Sequence, residues 1–278
     1  MKAAIFYNNS NTEARLVAQK TADVLKNSGI FTLTLPENSV VLKQCEYIAD
    51  NKIYKEADFC VIIGGDGTII KFAKNAALNF KPVIGINVGR LGYLADIEPD
   101  NLECLSRLAS GEYSVEERFM LKAEIKYRNG NSEIHYCVND AVLSRGSESN
   151  MLDIFIDVYG ERFNYRADGL IFATPTGSTA YSLSAGGPVV SPEIDGIIMS
   201  PICSHSLNSR PVIFSTDTVI NSGVLDHYGC NAAVSFDWEK RIELKEGMVL
   251  SISSGEFPLK LIRINGASFY KRLFAKFK

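Results

Sequence analysis

The sequence predicts an α/β plus β fold: an N-terminal doubly wound α/β domain over residues 1–100, then a mostly β, sandwich-like domain over residues 101–257. Three observations carry this expectation. Apolar strand-like runs alternate with amphipathic helical stretches as far as Pro99, the pattern of a parallel sheet wrapped by helices. Beyond Pro99 the texture changes to short alternating runs joined by turn residues, as in a sandwich. Glycine-rich loops follow two of the N-terminal apolar runs, where a doubly wound sheet places its ligands.

Residues 3–7 read as a strand, 8–12 as a polar loop, and 13–28 as an amphipathic helix with Leu16, Val17, Ala22, Val24 and Leu25 apolar and Gly29 at its end. Residues 31–35 form a second strand, and the polar segment through Glu56 carries no clear period. The continuous, β-branched run from Phe59 to Ile63 suits a strand buried on both faces. From Thr68 the period changes, with Ile69, Ile70, Ala73, Ala76 and Ala77 at helical spacing. Residues 82–87 supply another strand and lead into a second glycine-rich loop, 89–94.

A helix over 102–109 stops at Gly111. Strands are then read over 119–127, 133–138, 141–144, 152–159, 169–174, 212–214, 231–236 and 248–253, with Asn129-Gly130 as the hairpin turn between the first two. The tail, 258–278, holds a strand over 259–264 and an aromatic and basic stretch from Ser268, and is expected to pack back on the first domain.

With 46% hydrophobic and 22% charged residues, the chain reads as a soluble globular protein able to bury one large or two modest cores. A formal charge of −3 argues against a nucleic-acid partner and leaves a small anionic ligand open. Residues 1–7 are too short for a signal-peptide core and no apolar stretch approaches bilayer length, so the expectation is a cytoplasmic protein with no membrane partner. Cys45, Cys60, Cys104, Cys137, Cys203 and Cys230 are scattered without a Cys-x-x-Cys pair and read as reduced core residues. His135, His205 and His227 show no metal-ligand spacing, and no protein-built metal site is expected.

The polar centre of the first domain is Gly64-Gly65-Asp66-Gly67-Thr68. Glycines at a strand-to-helix junction let backbone amides converge at a helix N-terminus, which suits phosphate. Asp66 is the odd member, because a carboxylate repels phosphate. Either a divalent cation intervenes, or Asp66 acts on the proton of a hydroxyl. The plainer alternative is a turn in which Asp66 only caps the helix. Neither Gly-x-Gly-x-x-Gly nor Gly-Lys-Ser/Thr occurs. A second polar cluster runs from Arg166 to Pro188, where a strand leads into a loop rich in small residues and hydroxyls. Such a loop lets a planar ligand approach the backbone. Its plainer alternative is a surface loop capping a short helix.

Together with Gly89-Arg90-Leu91-Gly92-Tyr93-Leu94, Val138-Asn139-Asp140-Ala141-Val142-Leu143 and Ser206-Leu207-Asn208-Ser209-Arg210-Pro211, these clusters resemble the ordered motif set of the bacterial NAD kinases over nearly the whole chain. The resemblance implies transfer of phosphate from ATP, or polyphosphate, to the 2′-hydroxyl of the adenosine ribose of NAD. It also implies Mg²⁺ or another divalent cation carried with the donor, and homodimers or homotetramers. By the same likeness Asp66 is the catalytic carboxylate, with Gly64, Gly65 and Thr68 as its phosphate loop, and Gly67 and Tyr93 line the adenosine pocket. Asn139 and Asp140 bind polar groups of NAD. Thr179, Ala180, Tyr181 and Ser184 contact adenosine, and Arg166 and Asp168 lie near the diphosphate and nicotinamide. The chain departs from common family forms at Asp140, where Glu is frequent, at Lys74, where Arg is frequent, and at Asp237-Trp238-Glu239, where Asp-Gly-Gln is usual.

Two other readings share some of these residues. A lipid kinase carries a Gly-Gly-Asp-Gly loop but has no counterpart of the second cluster, and this chain has no basic amphipathic segment for membrane contact. A non-catalytic NAD(H) or NADP(H) sensor would use the same pocket, against which the intact Asp66 argues.

Overall fold

The computed structural model describes residues 1–90, 92–146, 150–225, 231–266 and 269–276. Leu91 of the second glycine-rich loop, His227, Cys230 and Ser268 lie outside the described residues. The chain divides into two compact units, Met1–Arg118 with Leu259–Lys278, and Phe119–Pro258.

The first unit opens with β1 (Lys2–Tyr7), α1 (Thr12–Asn27), β2 (Phe31–Thr34), β3 (Glu46–Tyr47) and α2 (Asp50–Glu56). It continues through β4 (Phe59–Gly64), α3 (Asp66–Leu78) and β5 (Val83–Asn87) to a 3₁₀ stretch, Pro99–Ser106, that runs into α4 (Arg107–Ser110) and β6 (Ser114–Arg118). Helix α1 begins where the Asn11 side chain accepts the Ala14 N–H, satisfying a donor that the first turn leaves unpaired. Its buried stripe is Ala14, Val17, Ala18, Ala22 and Leu25. The segment before Glu56, which showed no period, holds β3 and α2. The expected helix over 102–109 is mostly 3₁₀, and Gly111 ends it in the left-handed region at φ 75°.

The second unit contains β7 (Leu121–Lys126), β8 (Ser132–Cys137), β9 (Asp140–Arg145), β10 (Leu152–Val158), β11 (Glu161–Ala167) and β12 (Gly169–Ala173). A 3₁₀ turn, Thr176–Thr179, and the short α5 (Tyr181–Ser184) follow. Then come β13 (Ile197–Ile202), β14 (Val212–Phe214), β15 (Ile220–Leu225), β16 (Ala232–Phe236), β17 (Lys240–Leu244) and β18 (Val249–Ser254). They form two antiparallel six-stranded sheets, β11-β10-β15-β18-β7-β8 and β14-β13-β12-β9-β16-β17. Leu121, Ile154 and Leu250 from one sheet share a core with Leu143, Phe172 and Phe236 from the other, which makes the unit a sandwich.

The chain then returns to the first unit as β19 (Leu259–Arg263) and α6 (Phe269–Lys276). β19 lies between β5, parallel to it, and β6, antiparallel, in the order β3-β2-β1-β4-β5-β19-β6. The pairing with β6 places the end of the first compact stretch at Arg118, beyond the change of texture near residue 100. No helix among the described residues is long and apolar enough to cross a membrane. Cys45, Cys60 and Cys137 are buried, whereas Cys203 is exposed at φ 45° just after β13 and is not the core residue its neighbours suggested.

Candidate functional site

In the first unit, Asp66 opens α3 but does not cap it: Gly65 holds the capping position, and no side chain caps that end. Its carboxylate instead accepts the backbone N–H groups of Tyr93 (Oδ2, 2.9 Å) and Leu94 (Oδ1, 3.1 Å). The second glycine-rich loop is thus the cradle of the first. Gly92 makes this possible, because a Cβ there would overlap the Asp66 carboxylate, with Cγ 2.8 Å away. Gly64 is required for a different reason: its φ is 154°, and a Cβ would lie 2.8 Å from Thr68 Cβ and Oγ1. Gly67 is the exception. It is exposed, and a Cβ added to it would meet nothing within 4 Å, so packing does not demand glycine in this first helical turn.

The cradle is held by the returning tail. Arg272 Nη1 donates to the carbonyls of Ala95 and Tyr93, the latter at 3.1 Å, and Arg263 Nη1 donates to that of Leu94 at 2.9 Å. Asp96 Oδ2 accepts the N–H groups of Ile264 (2.8 Å) and Asn265 (3.0 Å). Arg118, Arg263 and Arg272 are all buried, with Glu116 bridging the first two at 2.6 and 2.7 Å. Burial drives the Arg118 pKa down to about 10 against the pull of Glu116. On α6, Lys276 Nζ sits 3.8 Å from the centroid of the Tyr93 ring. Burial lowers the pKa of Lys276 and the Asp66 carboxylate opposes that shift, so a cation and the anion of the glycine loop feel one another. None of these tail residues stood out in the sequence, where basic residues near a chain end look like a solvated surface.

In the second unit, Asn139 and Asp140 lie between β8 and β9. Asp237, in the β16–β17 turn, accepts the N–H groups of Val138 (Oδ2, 2.9 Å), Asn139 (Oδ1, 2.8 Å) and Asp140 (Oδ1, 3.1 Å). From the other side the Thr174 N–H donates to the Asn139 carbonyl at 2.8 Å, and its hydroxyl to that of Val138 at 2.6 Å. The backbone of the motif is therefore fully used, while the Asp140 side chain is not: the residue is 1% exposed and neither carboxylate oxygen has a hydrogen-bond partner. Burial first, and the neighbouring Asp237 charge second, push its carboxyl up to about 7. A buried acceptor left this way is stabilised by a ligand that brings hydroxyl donors. Within Asp237-Trp238-Glu239 it is Asp237, the residue that keeps the usual pattern, that clamps Asn139-Asp140.

The loop after β12 begins beside Asp140, since Ala173 is its cross-strand partner. It is not a surface loop, for Thr174, Thr176, Ser178 and Ser182 are all buried. Most of its hydroxyls are engaged internally. Ser178 Oγ donates to the Pro175 carbonyl (2.6 Å) and accepts from Val190 N (3.0 Å), Ser182 pairs with Ser200 at 2.9 Å, and Thr179 donates to the Thr176 carbonyl at 3.2 Å. Ala180 and Tyr181 are half-buried and Ser184 is exposed at the same end of the sheet. Arg166 and Asp168 are not brought to this end. They precede β12, whose five residues at about 3.3 Å each separate them from Ala173 by roughly 17 Å. There Asp168 pairs with Arg145 Nε at 3.1 Å, and the carbonyl of exposed Arg166 accepts His205 N–H at 2.8 Å. Among the described residues no group of three or more His, Cys, Asp or Glu side chains could hold a metal ion.

An anchored carboxylate at a helix start beneath glycine loops, and a buried acceptor awaiting hydroxyls, are the chemistry of proteins that handle nucleotides. Residues 4–113 match the family model for the ATP-NAD kinase N-terminal domain, and residues 138–264 that for the ATP-NAD kinase C-terminal domain. An NAD kinase of Acetivibrio thermocellus is 36% identical over 286 residues, covering 99% of this chain and 96% of that one. The crystal structure of yeast NADH kinase complexed with NADH shares the fold, with a TM-score of 0.89 at 24% identity over 99% of this chain and 86% of that one. That of an NAD kinase from Archaeoglobus fulgidus in complex with ATP gives 0.76 at 25% identity, over 99% and 98%. The chain belongs to the NAD kinase family.

Proposed function

We propose that this chain phosphorylates the 2′-hydroxyl of the adenosine ribose of NAD, using ATP, to give NADP. The observation that carries the reading is Asp66, held by two backbone amides with one lone pair on each oxygen already engaged and the rest available. In the transfer the ribose oxygen bonds to the γ-phosphorus, the bond to the β–γ bridging oxygen breaks, ADP departs with that electron pair, and Asp66 accepts the hydroxyl proton. The N-terminal amides of α3, with Gly64, Gly65 and Thr68 around them, favour the negative charge of the donor phosphates. The divalent cation is assigned to the substrate and travels with ATP. Gly67 and Tyr93 line the adenosine side, and Asn139, Asp140, Thr179, Ala180, Tyr181 and Ser184 bind the dinucleotide. Arg166 and Asp168, at the far end of β12, are assigned to the diphosphate and nicotinamide side, and the chain to a homodimer or homotetramer.

The test is Asp66→Asn assayed with NAD, ATP and Mg²⁺. Turnover is expected to fall by ~10²–10⁴-fold, the usual yield of general-base catalysis, while calorimetric NAD binding persists. Near-normal turnover would remove Asp66 from the chemistry. NAD binding by the wild type without any NADP formed would instead favour the sensor.

A further inference from the structure

The β16–β17 turn holds the chain's single tryptophan in a conformation that tryptophan does not favour. Glu239 N–H donates to the Phe236 carbonyl at 3.0 Å, and the two residues between, Asp237 and Trp238, have φ of 47° and 64°. Two successive positive φ values are the pattern of a type I′ hairpin turn, for which Asp-Gly is a preferred pair. Asp237 satisfies the first position and its carboxylate has structural work. Trp238 at the second is strained by its Cβ. Burial does not repay that strain, because Trp238 remains 73% exposed.

What the indole does instead is face Tyr181. The two rings lie 5.5 Å apart between centroids at 48°, tilted rather than stacked. Both line a hollow of about 260 Å³ on the outer face of the β9–β16 pair, floored by the cross-strand partners Val142 and Ser235 and edged by Ser144 and Arg241. A hollow of that size takes one ring system rather than a whole dinucleotide. Two aromatic walls over a floor of one valine and one serine, with a further hydroxyl at the rim, are features that hold a planar heterocycle. Tyr181 belongs to the loop that begins beside Asp140, the unpartnered acceptor, so the hollow and the ribose-binding carboxylate stand at one end of the same sheet.

We propose that Trp238 and Tyr181 form an aromatic platform for one base of the bound dinucleotide, a contact that a chain with glycine at this turn position does not have. The inference rests on the reading of NAD as substrate. Adenine and nicotinamide both offer such a planar face, and titration with each half of the dinucleotide distinguishes them.

Because Trp238 is the only tryptophan, intrinsic fluorescence of the full-length protein reports on it directly. NAD is expected to change that emission saturably and to shield the indole from acrylamide. Titrations with AMP and with nicotinamide mononucleotide assign the base, whichever of them reproduces the effect. Trp238→Gly, which restores the residue the turn prefers, is expected to raise KM for NAD about five-fold or more with kcat nearly unchanged, and Trp238→Phe to recover most of the loss. Unchanged emission at NAD concentrations that saturate turnover overturns the platform, as does an unaltered KM in Trp238→Gly. An indole already shielded from acrylamide without nucleotide also overturns it and assigns Trp238 to contact between copies of the chain. NADP formation is measured in the same samples. If none appears, the substrate reading fails by itself, and the response to AMP and nicotinamide mononucleotide still decides the platform.

Discussion

Asp140 combines two properties that rarely coexist in an idle residue: its carboxyl is buried and its oxygens are unpartnered. The consequence for pH follows from its direction of shift. The folded-state value is raised from 3.8 to about 7, so the contribution of this group to stability is complete below pH 4 and is lost as pH rises through 7. A shift of about three units corresponds to at most ~4 kcal/mol. Asp140→Asn removes the titration. Its melting temperature relative to the wild type is therefore expected to climb between pH 5 and pH 8, and parallel melting curves across that range would contradict the assignment. Ribose hydroxyls stabilise the ionised form, so saturating NAD should narrow the gap at pH 8. In kinetics Asp140→Ala should raise KM more than it lowers kcat, because the lost hydrogen bonds exist in ground and transition states alike. The partner that sets this chemistry, Asp237, was noticed in the sequence only because the two residues after it, Trp238 and Glu239, depart from a family pattern. Its three amide bonds depend on a turn ninety-odd residues away folding back on Val138, which no local period records.

Among the elements, α3 shows how function and propensity part company. Gly67 weakens its first turn, and an Ala Cβ would find open space. Gly67→Ala is thus expected to stabilise the first unit by up to about 1 kcal/mol in thermal or denaturant unfolding. It should at the same time raise KM for NAD or ATP, if open backbone there serves the substrate. A variant more stable and fully active would show that Gly67 is merely tolerated. The elements legible in the sequence were those with one dominant period: α1 through its buried stripe, β4 through six consecutive buried residues, and the β7–β8 hairpin through Asn129-Gly130. The strands β11, β13, β15 and β17 escaped for physical reasons. β11 and β17 are sheet edges with mostly exposed, charged sequences, β13 carries Pro201, and β15 includes Asn221, Ser222 and Gly223, all residues that ordinarily argue against a strand. The Asp66 cradle was half legible. Both glycine loops stood out, but that one holds the carboxylate of the other is a contact across 27 residues.

At the scale of the whole chain, the first unit is completed only after the second has been made. The polypeptide leaves at Arg118, builds residues 119–258, and returns to insert β19 between β5 and β6. β6 pairs with β19 along five residues, so removing the tail takes away its neighbour and uncovers the edge of β5. The same cut removes Arg263 and Arg272, whose guanidiniums donate to the carbonyls of Tyr93 and Leu94, the residues that cradle Asp66, and of the next residue, Ala95. It also leaves Arg118 buried beside Glu116 with half its charge network gone. The second unit has no such dependence, because its shared core is drawn entirely from residues 121–252. Truncation after Pro258 is therefore expected to unfold the two units unequally. In hydrogen exchange, amides of β4 and β5 should lose protection by orders of magnitude, while those of β9 and β12 keep theirs. Activity should vanish with the protection of β4, even though every residue of the Gly64–Thr68 loop is still present. If β4 and β5 exchange as slowly in the truncated chain as in the intact one, the tail is an accessory to a sheet that already stands, and the cradle of Asp66 must draw its rigidity from elsewhere.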